Sequence, residues 1–133
     1  EFREFNKMKY PYFIQLKDTG AFAMAGLYDD WINPTSGEIV QTFSVLTTEA
    51  NPLMAKIHNR GKRMPVIIQP GSEKAWLDFT LEPEQLFPSF PEDKMEAWSV
   101  SRLLTSRTEN KNVPGVQSPF VYPELQMVDG MNL

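Results

Sequence analysis

The sequence predicts an α+β fold in which short, mainly antiparallel strands form a twisted or barrel-like sheet with short helices at its periphery. Runs of apolar and β-branched residues have the length of strands and are separated by turn residues. Eleven prolines break the 133-residue chain into short elements. We therefore expect strands joined by turns and no long helix.

The first third of the chain is rich in strand and turn signals. Residues 12–16 and 21–28 are apolar runs, and the turn formers Asp and Gly between them at residues 17–20 predict a hairpin. The sequence NPTSG at residues 33–37 predicts a second turn. It leads into residues 39–46, whose β-branched and aromatic side chains predict a third, largely buried strand.

A capped helix is predicted after the third strand. Asn51 is a good N-cap, Pro52 suits the first helical position, and Gly61 can adopt the left-handed conformation that ends a helix. These signals predict a helix over residues 52–59. His58, the only histidine of the chain, would then lie in its last turn.

The remaining predicted elements are short. Residues 64–68 form another apolar run, Ser72 can cap a helix, Pro83 can begin one more helical turn, and residues 98–104 can form a last strand.

The C-terminal part has few apolar anchors. We expect a loop over residues 105–119. The sequence leaves open whether the tail at residues 120–133 packs onto the domain or extends from it.

Composition allows one modest core, with 41% hydrophobic and 12% aromatic residues. The net charge of −4 argues against a basic nucleic-acid binder, yet Arg60, Lys62 and Arg63 cluster three positive charges beside His58. A proton-transfer group beside cations that can hold phosphate suggests nucleic-acid chemistry. Because the chain lacks cysteine, disulfides and thiol catalysis by this chain are excluded.

No metal or membrane site is predicted. The paired acids Asp29 and Asp30 are adjacent strand residues, so their side chains point to opposite faces and we assign no metal. No apolar run approaches the ~18 residues that a membrane span needs, and no secretory signal is visible. We expect a cytoplasmic monomer that associates with the nucleoid when bound to DNA.

Several motifs resemble one family, the SOS response-associated peptidases (SRAP), which process abasic sites in DNA. They are TTEANPLMAKIHNRGKRMPVI at residues 47–67, YPYFI at residues 10–14, FAMAGLYDDW at residues 22–31, AWLD at residues 75–78 and MEAWSVS at residues 95–101. The sequence EFR resembles the end of the family motif G-[FW]-[FY]-E-W-[KR], which places Glu1 at the family's glutamate and Phe2 where tryptophan is usual. This resemblance implies that residues 1–133 are the C-terminal portion of one SRAP domain, whose N-terminal half is missing from the chain.

The resemblance also implies an activity. It implies a sensor that binds single-stranded DNA and forms a covalent thiazolidine with an abasic site, with autoproteolytic processing at the same site. The family's nucleophile is an N-terminal cysteine, so we expect this chain alone to be inactive. Glu1 and His58 match the family's proton-transfer residues. Arg63, or alternatively Arg60, matches its phosphate-binding arginine, and Thr47 matches a position near the nucleophile. No cofactor is implied.

A second interpretation comes from another class of protein. A noncatalytic single-stranded DNA-binding or interaction module could keep the fold without a nucleophile. His58 would then be a helix-end residue, and the arginines would be solvated surface residues. The residues present assemble no hydrolase triad.

Overall fold

The computed structural model describes residues 1–130, except for the side chains of residues 83–84 and 128–130. The strands are β1 (Phe2–Phe5), β2 (Met8–Leu16), β3 (Gly26–Ile32), β4 (Ile39–Val45), β5 (Thr47–Glu49), β6 (Arg63–Pro65) and β7 (Met95–Ser99). The helices are α1 (Pro52–Ile57), α2 (Glu73–Leu77), α3 (Pro83–Leu86) and α4 (Pro123–Gly130), with 3-10 turns at Glu92–Lys94 and Arg102–Thr105.

The strands form three antiparallel sheets, with the orders β1-β2-β7, β3-β4 and β5-β6. The predicted α+β class, the antiparallel pairing and the short helices are therefore confirmed. Main-chain bonds between residues that flank these strands connect the second and third sheets, such as Ala25 N–H to the Val66 carbonyl at 2.8 Å. The sheets of the described residues do not close into a barrel.

The predicted hairpin between residues 12–16 and 21–28 is wrong. The hairpin turn of β2 is instead at Asn6 and Lys7. Their positive φ values of 48° and 62° allow β1 to pair directly with β2. On the opposite side, residues 12–16 of β2 pair with β7 and not with residues 21–28. β3 pairs with β4 instead.

The β3–β4 hairpin is the least buried part of the fold. Every residue of β4 is exposed, and so is every residue of β3 after Gly26. The prediction that residues 39–46 form a largely buried strand is therefore wrong, although the strand itself exists. Its apolar side chains meet solvent on both faces of a two-stranded ribbon.

The largest core cluster lies under α1, between β2, β6 and β7. It contains Leu16, Met54, Ile57, Met64, Ile67, Phe90 and Met95. Helix residues Met54 and Ile57 are buried in this cluster, which fixes the direction of the α1 axis. The position of the C-terminal end of α1 in the fold follows from that direction.

The C-terminal tail packs onto β2 as far as the structure describes it. Tyr122 and Leu125 are buried against Tyr10, and the Arg102 guanidinium carbon lies 4.5 Å from the Tyr10 ring centroid and 5.2 Å from that of Tyr122. Residues 131–133 of the predicted tail lie outside the described residues. None of the helices in residues 1–130 has the length and apolar character that crossing a bilayer needs.

The predicted strand over residues 98–104 is displaced toward the N-terminus. β7 ends at Ser99, and the Ser101 hydroxyl accepts a hydrogen bond from Leu103 N–H at 3.1 Å, which starts a 3-10 turn. In the predicted loop, Trp98 Nε1–H donates to the Gln117 carbonyl at 2.7 Å, which holds that segment against β7.

Candidate active site

The site is built on the end of α1, which is held by a cap at its start. Asn51 Oδ1 accepts from Met54 N–H at 2.8 Å, and Asn51 Nδ2 donates to the Phe90 carbonyl at 2.7 Å. The predicted N-cap is confirmed. Since Asn51 is only 6% exposed, both bonds are shielded from water and anchor the helix in the core.

The helix ends earlier than predicted. Ile57 is its last residue, and His58 is the C-cap, whose N–H donates to the Met54 carbonyl at 2.7 Å. The expected left-handed residue at Gly61 is wrong, because Lys62 adopts that conformation with φ 48°.

Close packing against His58 explains why glycine nevertheless suits position 61. A Cβ atom at Gly61 would stand 2.7 Å from Cε1 and 2.9 Å from Nε2 of His58. The absence of that atom lets the turn fold against the imidazole edge. The role of Gly61 is therefore to leave space for the His58 ring, and not to provide the left-handed residue that ends α1.

The imidazole of His58 has one nitrogen bound within the turn. Nδ1 lies 2.8 Å from the Arg63 carbonyl oxygen. The Arg63 N–H is farther from the same nitrogen, at 3.4 Å. A carbonyl oxygen only accepts, so we assign the proton of the neutral ring to Nδ1. Nε2 is then the nitrogen that can take up and return a proton.

Three of the predicted site residues share one cavity. Glu1, His58 and Arg60 line a cavity of about 280 Å³. The other lining residues are Phe2, Glu4, Lys9 and Gly61. The Glu1 main chain is paired with Tyr12, whose N–H donates to the Glu1 carbonyl at 2.8 Å. The cavity thus joins the start of β1 to the turn after α1.

Two side chains connect that turn to β1. Asn59 Nδ2 donates to the Glu4 carbonyl at 2.8 Å, and Asn59 Oδ1 accepts from Glu4 N–H at 3.0 Å. Arg60 Nη1 lies 3.5 Å from Glu4 Oε2, with the Arg60 side chain 81% exposed. Lys9 Nζ is 3.8 Å from the other oxygen of the same carboxylate.

The other two predicted residues form a pair beside the cavity. Arg63 Nε donates to Thr47 Oγ1 at 3.0 Å, and Arg63 Nη2 donates to the Thr47 carbonyl at 2.6 Å. These bonds cross the β5–β6 pair diagonally, because Thr47 lies opposite Pro65 and Arg63 lies opposite Glu49. The Arg63 guanidinium is bonded to Thr47, while the main-chain carbonyl of Arg63 orients the His58 ring.

Asn59 and Glu4 were missed from the sequence. No local pattern marks them, because they are separated by 55 positions. The acids considered for a metal, Asp29 and Asp30, lie exposed on the β3–β4 hairpin. In the described part of the chain, no group of three or more His, Cys, Asp or Glu residues could hold a metal ion.

The fold and the cavity define an α+β domain with a candidate acid–base and anion-binding site. Residues 1–107 match the family described as SOS response associated peptidase (SRAP). The chain belongs to this family.

The chain is similar to several named proteins and to a protein of known structure. The chain is 40% identical over 108 residues to abasic site processing protein YoqW of Bacillus subtilis (strain 168), covering 78% of this chain and 46% of that protein. It is 32% identical over 98 residues to abasic site processing protein HMCES of Xenopus tropicalis, covering 59% and 28% respectively. A crystal structure of a Bacteroides thetaiotaomicron protein has a TM-score of 0.77 and 34% identity, covering 91% of this chain and 53% of that one. The chain therefore spans about half the length of its Bacillus relatives.

Proposed function

We propose that this chain is the part of an abasic-site processing protein that supplies the proton-transfer and phosphate-binding groups for covalent attachment to single-stranded DNA. The observation that carries the proposal is the single cavity shared by Glu1, His58 and Arg60. The names of the Bacillus and Xenopus relatives support abasic-site DNA as the partner.

The proposed chemistry joins an aminothiol to an aldehyde. The abasic sugar opens to its aldehyde, and the amine of an N-terminal cysteine adds to the aldehyde carbon. Water leaves as the carbon–nitrogen double bond forms, and the thiol then adds to the same carbon to close a thiazolidine ring. The balance is the loss of one water molecule, so no oxidant or reductant is needed. Autoproteolytic removal of residues ahead of the cysteine would expose its amine.

Glu1 and His58 would transfer the protons of these steps. Ring opening takes a proton from one sugar oxygen and gives one to another, and loss of water needs a proton donor. In our proposal, Nε2 of His58 carries out one of these transfers, since Nδ1 is bound to the Arg63 carbonyl. We assign the other transfers to Glu1, which lines the same cavity, because the Glu4 carboxylate is paired with Arg60 and Lys9.

Arg60 is our choice for the phosphate contact. It lines the cavity, and its pair with Glu4 is long and largely exposed, so a DNA phosphate could compete for the guanidinium. Arg63 and Thr47 are bonded to each other, and we propose that they hold together the β5–β6 pair, whose Arg63 carbonyl orients His58.

The nucleophile would come from the rest of the domain, upstream of this chain. We propose that this upstream part packs on the β3–β4 hairpin. Tyr28 is 83% exposed and its cross-strand partner Phe43 is 80% exposed. The hairpin and its neighbours expose many more apolar side chains, namely Leu27, Trp31, Ile32, Ile39, Val40, Val45, Leu77, Phe79 and Phe87. A two-stranded ribbon with no cover is only marginally stable in water. The match covers only 53% of the solved relative, so that protein has further chain that could supply such a cover.

This arrangement can be tested by stability in two settings. Tyr28→Ser should destabilise the protein with its upstream half restored by about 1.5–3 kcal/mol, the value of one buried large apolar side chain. The same change in the 133-residue chain should alter the free energy of unfolding by less than about 0.5 kcal/mol. Glu109→Gln, an exposed residue outside the hairpin, is the control and should change neither value. Equal effects of Tyr28→Ser in both settings, or a concentration-dependent dimer that buries Tyr28, would contradict the arrangement.

The function itself is tested by adduct formation. The protein with its upstream half restored is mixed with single-stranded DNA carrying one abasic site and resolved on a denaturing gel. We expect a heat-stable adduct with abasic DNA and none with an undamaged strand. His58→Ala and Glu1→Gln should slow its formation, whereas Glu109→Gln, an exposed acid outside the matched residues, should not.

Two results would refute the proposal. Absence of an adduct, with salt-sensitive DNA binding retained, would make this a noncatalytic single-stranded DNA-binding module. An adduct that forms equally fast in the His58→Ala and Glu1→Gln variants would remove both residues from the reaction.

A further inference from the structure

We propose that Asn59 is a positioning residue that sets the separation between the His58 imidazole and the Glu1 carboxylate. This inference rests on the proposed function, in which those two groups transfer protons. Its observation is different: the Asn59 side chain binds both main-chain polar groups of Glu4, at 2.8 Å and 3.0 Å.

The geometry of this contact imitates strand pairing. An amide side chain carries a donor and an acceptor side by side, so it can satisfy the N–H and the carbonyl of a single strand residue. Asn59 does this on the edge of β1 that β2 leaves free, since β2 pairs along the opposite edge. The contact therefore adds one rung to β1 from outside the sheet.

The rung joins the two parts of the cavity. Asn59 directly follows His58, whose ring is held by the Arg63 carbonyl at 2.8 Å. Glu4 lies on β1, and Glu1 directly precedes this strand. The His58 ring is held by Arg63, and the Glu1 main chain is held by Tyr12. The Asn59 contact between these two parts therefore determines how far the imidazole stands from the Glu1 carboxylate.

Arg60 provides the second contact between the turn and β1, but it is a weaker constraint. Its nitrogen is 3.5 Å from the Glu4 carboxylate, and its side chain is 81% exposed. Exposed ion pairs are screened by water and contribute about 0–1 kcal/mol. The amide contact is partly buried and short, so it fixes the register more firmly.

The test compares the coupling of two site residues in two backgrounds. In the protein with its upstream half restored, the Cε1–H NMR signal of His58 is identified as the one lost in His58→Ala. Glu1→Gln should shift that signal in the parent. In an Asn59→Ala background the same substitution should shift it by less than half as much, because the two groups are no longer held together.

Kinetics with abasic single-stranded DNA give a second readout. Asn59→Ala should slow adduct formation at saturating DNA by at least about tenfold, since misplacement by ~1 Å costs up to about 10²-fold. Its affinity for undamaged DNA should stay within about twofold of the parent. Asn112→Ala is the matched control, an exposed asparagine outside the matched residues, and it should change neither the affinity nor the rate at saturation.

A role limited to stability would overturn the inference. Asn59→Ala would then lower the unfolding free energy while the Glu1 effect on His58 and the saturated rate both stay unchanged. Asn59→Asp keeps the acceptor for Glu4 N–H but places a carboxylate oxygen against the Glu4 carbonyl. Both of its readouts should fall between those of the parent and Asn59→Ala, and this variant decides the question if Asn59→Ala does not fold. Should the parent form no adduct, the proposed function fails, while the NMR comparison still tests Asn59.

Discussion

Gly61→Ala should reveal how tightly the turn is packed on the catalytic candidate. Gly61 does not have a positive φ, so alanine suits its backbone. The obstacle is His58, whose Cε1 would be 2.7 Å from the new Cβ. Since carbon atoms approach to about 3.5 Å at best, the ring has to move by roughly 0.8 Å.

The energetic cost follows from the position of that ring. Forcing a side chain off its rotamer costs about 0.5–1.5 kcal/mol. Replacing glycine by alanine at a compatible backbone stabilises by about 0.4–1 kcal/mol, because the unfolded chain loses freedom. Gly61→Ala should therefore be nearly neutral or slightly destabilising in the parent. In a His58→Ala background, where the obstacle is gone, it should stabilise by about 0.4–1 kcal/mol.

Urea unfolding of the parent, both single variants and the double variant measures this difference. We expect a coupling of about 0.5–1.5 kcal/mol between positions 58 and 61. Gly20→Ala is the matched control, because an added Cβ there meets no atom within 4 Å. Its effect should be the same with and without His58. If Gly61→Ala also has equal effects in both backgrounds, the packing argument is refuted. In the adduct assay, Gly61→Ala should slow the reaction by up to about 10²-fold.

Two further predictions concern stability. Asn51→Ala should cost about 2–4 kcal/mol in urea unfolding, because it removes the cap of α1 and leaves the buried Phe90 carbonyl without its donor. Asn51→Ser, which keeps a capping oxygen, should cost clearly less, and an equal loss would contradict the cap. The pKa of Glu124 is lowered from 4.5 by its own main-chain N–H and then by the Tyr10 hydroxyl. This stabilisation is complete above pH 4.5 and is lost as the pH falls through the lowered pKa. Tyr10→Phe should therefore show a smaller loss of stability between neutral and acidic pH, and an unchanged pH dependence would exclude the contact.

Local signals were sufficient for the start of α1, although the local signal for its end at Gly61 failed. Asn51 and Pro52 identified the start of α1 because capping depends on residues within one helical turn. The hairpin assignment failed because its turn signal at residues 17–20 competed with pairing partners from far along the chain, as β7 occupies the edge of β2. The strand at residues 39–45 was recognised, but its burial depends on what covers it.

The sequence by itself determined the α+β class, the family motifs and the concentration of chemistry around His58, since these depend on residue type and short spacing. Only the tertiary structure decided which residues share the cavity. It placed Glu1 and Arg60 with His58, turned Arg63 back onto Thr47, and revealed Asn59. The physical reason is that such contacts join segments far apart in the sequence, 55 positions for Asn59 and Glu4, and their geometry is set by packing of α1 against the strands.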